Sequence, residues 1–179
     1  VPGIAALSTA EAVRMAHAAA AEGAHGLMVL PPYVYSTDWR EMKAHVSEVM
    51  RATGLSCMLY NNPIAYGVDV TPDVLERLAD VPEIVCIKEE SGDVRRVTDL
   101  FNALGDRFAV FCGVDDQILE SVTLGSSGWV SGMTNAWPKE CVELFGMCVE
   151  GRIAEARPLY RLMTPAFHLD TDVKLVQYI

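Results

Sequence analysis

Residues 56–60 read SCMLY, and 28 positions further along the chain residues 84–88 read IVCIK. Each stretch is rich in apolar side chains and ends on a polar one, and a stretch suited to an amphipathic helix separates the two. A continuous apolar run, as opposed to an alternating one, is typical of a strand that is buried on both faces of a parallel sheet. The two stretches therefore predict a strand, a helix and a second strand parallel to the first.

The same unit recurs along the chain. We predict further strands at 2–6, 26–30, 108–112 and 128–131, and helices at 10–22, 38–53, 72–80, 94–104, 117–124, 139–150 and 153–163, with a last helix after residue 170. Helix start signals agree with these bounds. Ser8 and Glu11 have the spacing of a capping box, and Thr71 precedes a proline at a first helical position.

Six strands that alternate with helices every 20–30 residues or so predict a parallel α/β sheet, either open and doubly wound or closed as a (β/α)8 TIM barrel. An open nucleotide-binding sheet usually carries a glycine fingerprint after its first strand, and the glycine pair at 125–128 precedes a strand instead. A barrel needs eight strands and about 250 residues. We therefore expect a barrel that lacks about two N-terminal βα units. Residues 1–138 would supply strands 3 to 8, and residues 139–179 would form extra, truncated C-terminal helices.

Composition excludes several classes of protein. Of 179 residues 51% are hydrophobic, and 24 acidic against 14 basic side chains give a formal net charge of −10 at pH 7. The apolar content excludes a disordered chain, the negative charge argues against nucleic-acid binding, and no apolar run approaches the roughly 18 residues of a membrane span. Five cysteines in apolar segments indicate reduced thiols, and no signal-peptide pattern is present. We expect a cytoplasmic protein that binds neither nucleic acid nor membrane.

A lysine ends one of the predicted strands, where barrel enzymes place reactive groups. Strict alternation puts Lys88 on the same face as Cys86 and Ile84. Apolar surroundings lower the pKa of a lysine, and the neutral amine is the form that attacks a carbonyl carbon to give a Schiff base. The alternative is a structural lysine at a strand end that pairs with Glu89 or Glu90.

Two tyrosines lie at the same rim. Tyr60 ends the strand before that of Lys88, and neighbouring strands lie about 4.8 Å apart, so its phenol could relay protons while a carbinolamine forms and breaks down. Tyr33 follows two prolines after the strand at 26–30. The alternatives are a core tyrosine for Tyr60 and, for Tyr33, a loop aromatic that covers the barrel mouth.

Three motifs together resemble a known family. LYNNP at 59–63, IKEESGD at 87–93 and GVDD at 113–116 are similar to motifs of the dihydrodipicolinate synthase/N-acetylneuraminate lyase family, which are class I Schiff-base enzymes on (β/α)8 barrels. The resemblance extends over essentially all 179 residues. It implies that Lys88 forms an imine with a 2-oxo acid or cyclic imine, and that Tyr60 shuttles protons.

The same resemblance implies further roles and partners. Tyr33 would complete the proton relay and reach into the site of a neighbouring subunit, and Val130 would offer its backbone carbonyl near the imine. A threonine motif that binds the substrate carboxylate would lie N-terminal to residue 1. The family further implies a homo-oligomer, dimer or tetramer, that acts on a small molecule with neither cofactor nor metal.

The stretch after the LYNNP motif departs from the synthases. Ala65 stands where they carry an arginine for the carboxylate of the second substrate, which argues against aspartate semialdehyde. Residues 60–70 and 128–138 resemble a narrower subgroup, the 1-pyrroline-4-hydroxy-2-carboxylate deaminases of hydroxyproline breakdown. This favours a lyase or hydrolase that yields 2-oxoglutarate semialdehyde and ammonia, with Ser131, Gly132 and Thr134 lining the distal pocket.

Three alternatives to the deaminase remain open. They are a 4-hydroxy-tetrahydrodipicolinate synthase, a 2-keto-3-deoxy sugar acid aldolase or dehydratase, and a non-catalytic relative that binds a small acid. Other polar residues are given structural roles. Glu89 and Glu90 are interpreted as solvated or paired with Arg95 and Arg96, and residues 168–172, HLDTD, as a helix cap in preference to a metal site.

Overall fold

The computed structural model describes residues 1–34 and 38–178. Six parallel strands form one sheet, in which they follow one another in their order along the chain. They are β1 (Gly3–Ile4), β2 (Gly26–Val29), β3 (Ser56–Asn61), β4 (Ile84–Glu89), β5 (Ala109–Cys112) and β6 (Gly128–Trp129). All six predicted strands are present, with ends that differ by one or two residues. A doubly wound sheet changes direction at a switch point, so this sequential order favours the barrel.

Helices connect the strands. They are α1 (Thr9–Ala21), α2 (Trp39–Arg51), α3 (Pro63–Tyr66), α4 (Pro72–Glu76), α5 (Arg95–Leu104), α6 (Ile118–Thr123), α7 (Pro138–Val149), α8 (Ile153–Phe167) and α9 (Leu175–Tyr178). The short α3 was not predicted, and α8 continues four residues beyond its predicted end through Pro165. None of the helices in the described ranges is both long and apolar enough to cross a membrane.

The larger hydrophobic core lies between the sheet and the first helices. Side chains of the strands, such as Leu59, Ile87 and Val110, pack there against α1, α2, α4 and α5. A second cluster joins the end of β5 to α6, α7 and α8 around Phe167, which is fully buried. Apolar side chains thus cover the helix-facing side of the sheet. The polar residues at the carboxyl ends of β3 and β4 lie outside these two clusters.

A bulge in β4 sets which side chains face the site. The register passes from the pair Cys57–Ile84 to the pair Met58–Cys86, so Val85 has no partner on β3. Ile84 consequently packs in the helix-facing core and does not share a face with Lys88. The prediction from strict alternation was therefore wrong for Ile84, because one inserted residue turns the earlier part of the strand to the other face.

Candidate active site

Tyr60 and Lys88 lie side by side at the carboxyl ends of β3 and β4. They are register partners in the sheet, and Nζ of Lys88 is 3.9 Å from the centroid of the Tyr60 ring. Only 11% of the Lys88 side chain is exposed. The strand order thus brings together the amine and the phenol that the sequence singled out.

Glu90 joins these two groups through one carboxylate oxygen. Its Oε2 lies 2.7 Å from Nζ of Lys88 and accepts a hydrogen bond of 2.6 Å from the hydroxyl of Tyr60. Asn62 donates from Nδ2 to the other carboxylate oxygen at 3.0 Å and to the Tyr60 hydroxyl at 3.2 Å. Four side chains therefore form one hydrogen-bonded cluster at the end of the sheet.

This arrangement corrects the interpretation of the charged residues after β4. Arg95 pairs with Asp93, and Arg96 with Asp69, so neither arginine forms the predicted ion pair with Glu90. The pairing of Lys88 with a glutamate, considered as the structural alternative, is the one observed. The sequence did not predict Glu90 as a site residue. Alternation assigns a face only to residues within a strand, and Glu90 lies one residue beyond the end of β4.

Burial fixes the protonation state of Tyr60. Removal from solvent raises the pKa of the phenol far above its usual value, and the negative charge of Glu90 raises it further, because both disfavour the phenolate. Tyr60 is therefore a proton donor at neutral pH, and the hydrogen bond to Glu90 is donated by the phenol.

A row of aromatic rings continues from Tyr60 towards Tyr33. The ring of Tyr66 lies 5.6 Å from that of Tyr60, edge to face, and 5.6 Å from that of Tyr33. Burial and the charge of Glu90 also raise the pKa of Tyr66. Tyr66 thus stands between the two predicted relay tyrosines. The contact of Tyr33 with a neighbouring subunit remains a prediction.

Gly113, at the end of β5, closes the cluster on a third side. A Cβ atom at this position would lie 2.8 Å from Cβ of Glu90 and 2.9 Å from Cε of Lys88. Real Cβ atoms essentially never approach other atoms so closely. The backbone of β5 can pass beside Lys88 and Glu90 only because this residue has no side chain.

The loop after β6 is organised around a buried carboxylate. Asp115 is 0% exposed and accepts hydrogen bonds from Nε1 of Trp129 at 2.9 Å and from the backbone N–H of Met133 at 2.8 Å. Burial raises the pKa of Asp115. The carboxylate of Asp115 therefore holds the loop after β6 in place.

The residues predicted for the distal pocket lie in this same loop. Ser131 accepts from the backbone N–H of Thr134 at 3.1 Å, and the Thr134 hydroxyl donates to the Ser131 carbonyl at 2.7 Å, with Gly132 in the turn between them. Val130 continues β6, and its N–H donates to the carbonyl of Cys112. The polar groups of Ser131 and Thr134 are thus bonded to each other, and their contact with a substrate remains a prediction.

A cavity of about 340 Å³ opens beside the Lys88 cluster. Its wall comes from the turns after β3, β4 and β5 and from the chain after α8: Asn62, Ile64, Ala65, Glu90, Gly92, Val114, Asp170, Thr171, Asp172, Val173 and Leu175. Ala65, which was predicted to stand in place of an arginine of the synthases, is therefore part of the cavity wall.

Asp170 brings a further carboxyl group to this cavity from a distant part of the chain. Burial raises its pKa to about 7, with further contributions from the negative charges of Asp115 and Glu90, while Lys88 opposes them. The predicted helix-cap role of the 168–172 stretch does not account for this placement. Within the described ranges no group of three or more His, Cys, Asp or Glu side chains is placed to hold a metal ion.

Comparison with known proteins identifies the relatives of this chain. The sequence profile of the dihydrodipicolinate synthetase family matches residues 1–172. A 4-hydroxy-tetrahydrodipicolinate synthase of Clostridium perfringens is 34% identical over 152 residues, which are 85% of this chain and 52% of that enzyme.

Solved structures agree with the sequence comparison. The 4-hydroxy-tetrahydrodipicolinate synthase of Methylacidiphilum fumariolicum superposes with a TM-score of 0.91 at 32% identity, over 96% of this chain and 58% of that one. The dihydrodipicolinate synthase of Acinetobacter baumannii, solved with pyruvate, gives 0.91 at 30% identity, over 98% and 62%. The chain thus spans between half and two thirds of the length of these relatives. A parallel sheet in sequential order and a profile match over nearly all residues lead to one conclusion: the chain belongs to the dihydrodipicolinate synthetase family.

Proposed function

We propose that the protein is a Schiff-base-forming lyase, in which Nζ of Lys88 bonds to the carbonyl or imine carbon of a small 2-oxo acid or cyclic imine. The observation that carries this proposal is the position of Lys88, nearly buried at the end of β4 and against the ring of Tyr60. The chain belongs to a family of class I aldolase-type enzymes, and its relative from Acinetobacter baumannii binds pyruvate.

The phenol of Tyr60 supplies a proton in this scheme. Attack by the amine first gives a tetrahedral adduct, a carbinolamine from a 2-oxo acid or an aminal from a cyclic imine. This adduct becomes the protein imine only when the departing oxygen or ring nitrogen is protonated. Tyr60 remains protonated at neutral pH because of its burial. Its hydroxyl lies in the same hydrogen-bonded cluster as Nζ, so it can donate to the leaving atom.

Borohydride trapping tests this proposal. The protein is incubated with pyruvate or with 4-hydroxy-1-pyrroline-2-carboxylate, reduced, digested and mapped by mass spectrometry. We expect a reduced adduct on Lys88 and none in Lys88→Arg, because a guanidinium retains the charge but is not a nucleophile at neutral pH. Lys43→Arg is the matched control. Lys43 pairs with Asp80 on the surface, so this variant should form the same adduct on Lys88 as the wild type. Absence of an adduct from the wild-type protein would contradict the proposal.

Two candidate reactions remain within this chemistry. The names of the relatives favour a 4-hydroxy-tetrahydrodipicolinate synthase, which would join the bound 2-oxo acid to a second substrate. The cavity favours the deaminase, because its wall carries Ala65 together with the acidic residues Glu90, Asp170 and Asp172. Among the described residues that line this cavity none is an arginine or a lysine that could bind the carboxylate of a second substrate.

Product analysis separates the two candidate reactions. Release of ammonia from 4-hydroxy-1-pyrroline-2-carboxylate would support the deaminase, and condensation of pyruvate with aspartate semialdehyde would support the synthase. An Ala65→Arg variant sharpens the comparison. If the cavity holds the second substrate, the added cation should increase condensation with the semialdehyde relative to ammonia release.

A further inference from the structure

Glu90 is the side chain that contacts both proposed reacting groups, and the mechanism above gives it no role. We propose that Glu90 is a catalytic residue that accepts protons from Nζ of Lys88 and passes them, through the hydroxyl of Tyr60, to the atom that leaves the carbinolamine. This inference rests on the proposed Schiff-base chemistry. Its basis is that Oε2 lies 2.7 Å from Nζ and 2.6 Å from the Tyr60 hydroxyl, within direct transfer distance of both.

The protein holds this carboxylate in place from several directions. The backbone N–H of Glu90 donates to the carbonyl of Asn61 at 2.8 Å, and Asn62 binds the other carboxylate oxygen. Gly113 allows β5 to pass close against the side chain. With 18% of its side chain exposed, Glu90 also lines the cavity of about 340 Å³. The geometry is therefore preorganised for an acceptor at Nζ.

An ion pair alone would oppose the reaction. A carboxylate beside an ammonium stabilises the charged form of the lysine, which has no lone pair for attack. The two charges can disappear together if the proton moves from Nζ to Oε2, which leaves a neutral amine and a neutral acid in a poorly solvated site. The contact is productive only if Glu90 accepts the proton.

The steps balance for a 2-oxo acid. Nζ first gives one proton to Glu90, and its lone pair then bonds to C2. The electrons of the carbonyl π bond move to oxygen, which takes a proton from the hydroxyl of Tyr60 while Glu90 returns its proton to Tyr60. The carbinolamine nitrogen then gives a second proton to Glu90. The nitrogen lone pair expels the hydroxyl, which takes a proton from Tyr60 and leaves as water, while Glu90 passes the second proton to Tyr60. The product is a protonated imine, and Glu90 ends as the carboxylate that began the sequence.

The rate of imine formation tests the proposal. Pyruvate is mixed with the protein, and samples are quenched with borohydride over time to measure the reduced Lys88 adduct. Glu90→Gln keeps the shape of the side chain but cannot accept a proton. We expect the same adduct with a rate constant that is about 10²–10⁴ times lower, the usual contribution of general acid–base catalysis. Glu90→Asp, which retains a carboxylate, should be intermediate.

A matched control is available one residue earlier. Glu89 is a buried glutamate that bonds to Asn61 and to the backbone N–H of Ser91, not to Lys88. The rate constant of Glu89→Gln should stay within about threefold of the wild type. A Glu90→Gln rate constant that is also within threefold would overturn the proposal and leave the Schiff-base function intact. No adduct in the wild-type protein would instead overturn the function together with this inference.

Chemical rescue covers the case in which Glu90→Gln does not fold. Glu90→Ala leaves room beside Lys88, and added formate should raise the rate of its imine formation in a saturable way, because formate supplies the missing proton acceptor. A residue with only a structural role would not respond to formate. Failure of formate to accelerate a folded Glu90→Ala would contradict the proposal.

Discussion

Two glutamates follow each other at the end of β4, and the protein uses them in different ways. The carboxylate of Glu89 accepts from Nδ2 of Asn61 at 2.9 Å and from the N–H of Ser91 at 2.6 Å, one donor for each oxygen. The carboxylate of Glu90 receives Lys88 and Tyr60 on the same oxygen. Glu89 belongs to a set of bonds that joins one loop to another, whereas Glu90 joins two groups that can exchange protons.

The surroundings of these two glutamates differ as well, because Glu89 lies among hydrogen-bonded side chains and Glu90 lies beside a cavity. On the side of Glu89, Asn61 also accepts from the N–H of Val70 and donates to Asp69, and Arg96 pairs with Asp69. Every one of these groups has a partner from another turn of the chain. On the side of Glu90 the cluster borders a cavity. Under the proposed mechanism, the first set of bonds stabilises the fold and the second takes part in the chemistry.

The largest expected effect follows from the close approach of β5 to Lys88 and Glu90. In Gly113→Ala the new methyl group must displace one of these side chains. A misplacement of about 1 Å can lower a rate 10²-fold, so we expect at least this loss in the borohydride trapping rate with pyruvate. Overpacking should also lower the free energy of unfolding by about 1–3 kcal/mol.

A second glycine provides the control for this variant. A Cβ at Gly146, within α7, would meet nothing within 4 Å. Gly146→Ala should therefore raise the free energy of unfolding by about 0.5–1 kcal/mol through its better helix propensity and leave trapping unchanged. Equal trapping rates for Gly113→Ala and the wild type would mean that Lys88 and Glu90 do not need their observed positions.

Sequence patterns predict the strands and the pairing of Tyr60 with Lys88, because both follow from apolar runs and from the order of parallel strands. They do not predict the bulge at Val85, which is a local register shift with no signal in the apolar pattern. Nor do they predict the role of Glu90, since two adjacent glutamates look alike until the turn after β4 is known. Asp170 reaches the site from 82 positions beyond Lys88, through packing of α8 that no local pattern specifies.

An intermediate effect is expected on the side of Glu89. Asn61→Ala removes the donor to Glu89 and the acceptor of the Val70 N–H, and leaves buried polar groups without partners. Each such group costs about 1–3 kcal/mol. We expect the free energy of unfolding, measured in urea, to fall by about 2–4 kcal/mol.

This variant separates stability from chemistry. Trapping by the folded fraction of Asn61→Ala should remain within a few-fold of the wild type, because its side chain faces away from Lys88. Asn102→Ala, an exposed position on α5, should change the unfolding free energy by no more than about 0.5 kcal/mol. A loss of trapping in folded Asn61→Ala as large as that expected for Glu90→Gln would remove the distinction between the two sides.

The smallest effect concerns the pH dependence of stability and the carboxyl group that overlies the site. Burial and the charges of Asp115 and Glu90 raise the pKa of Asp170 from 3.8 to about 7. A carboxyl whose pKa is higher in the folded state binds its proton more tightly there. Its contribution favours folding at low pH, and that contribution is lost as the pH rises from about 4 to about 7.

Urea unfolding of the wild type and of Asp170→Asn at pH 5 and at pH 7.5 measures this contribution. The wild type should lose more stability than Asp170→Asn across this interval, by about 1–2 kcal/mol, less than the full linkage value because the carboxyl group is only partly buried. Asp172→Asn, at the exposed rim of the same cavity, should follow the wild type. If Asp170→Asn and the wild type change equally with pH, neither the burial of Asp170 nor the charges of Asp115 and Glu90 raise the pKa of its carboxyl in the folded protein. Asp170 would then behave as an exposed carboxyl group, and the contrast with the hydrogen-bonded side of Glu89 would depend on Glu90 alone.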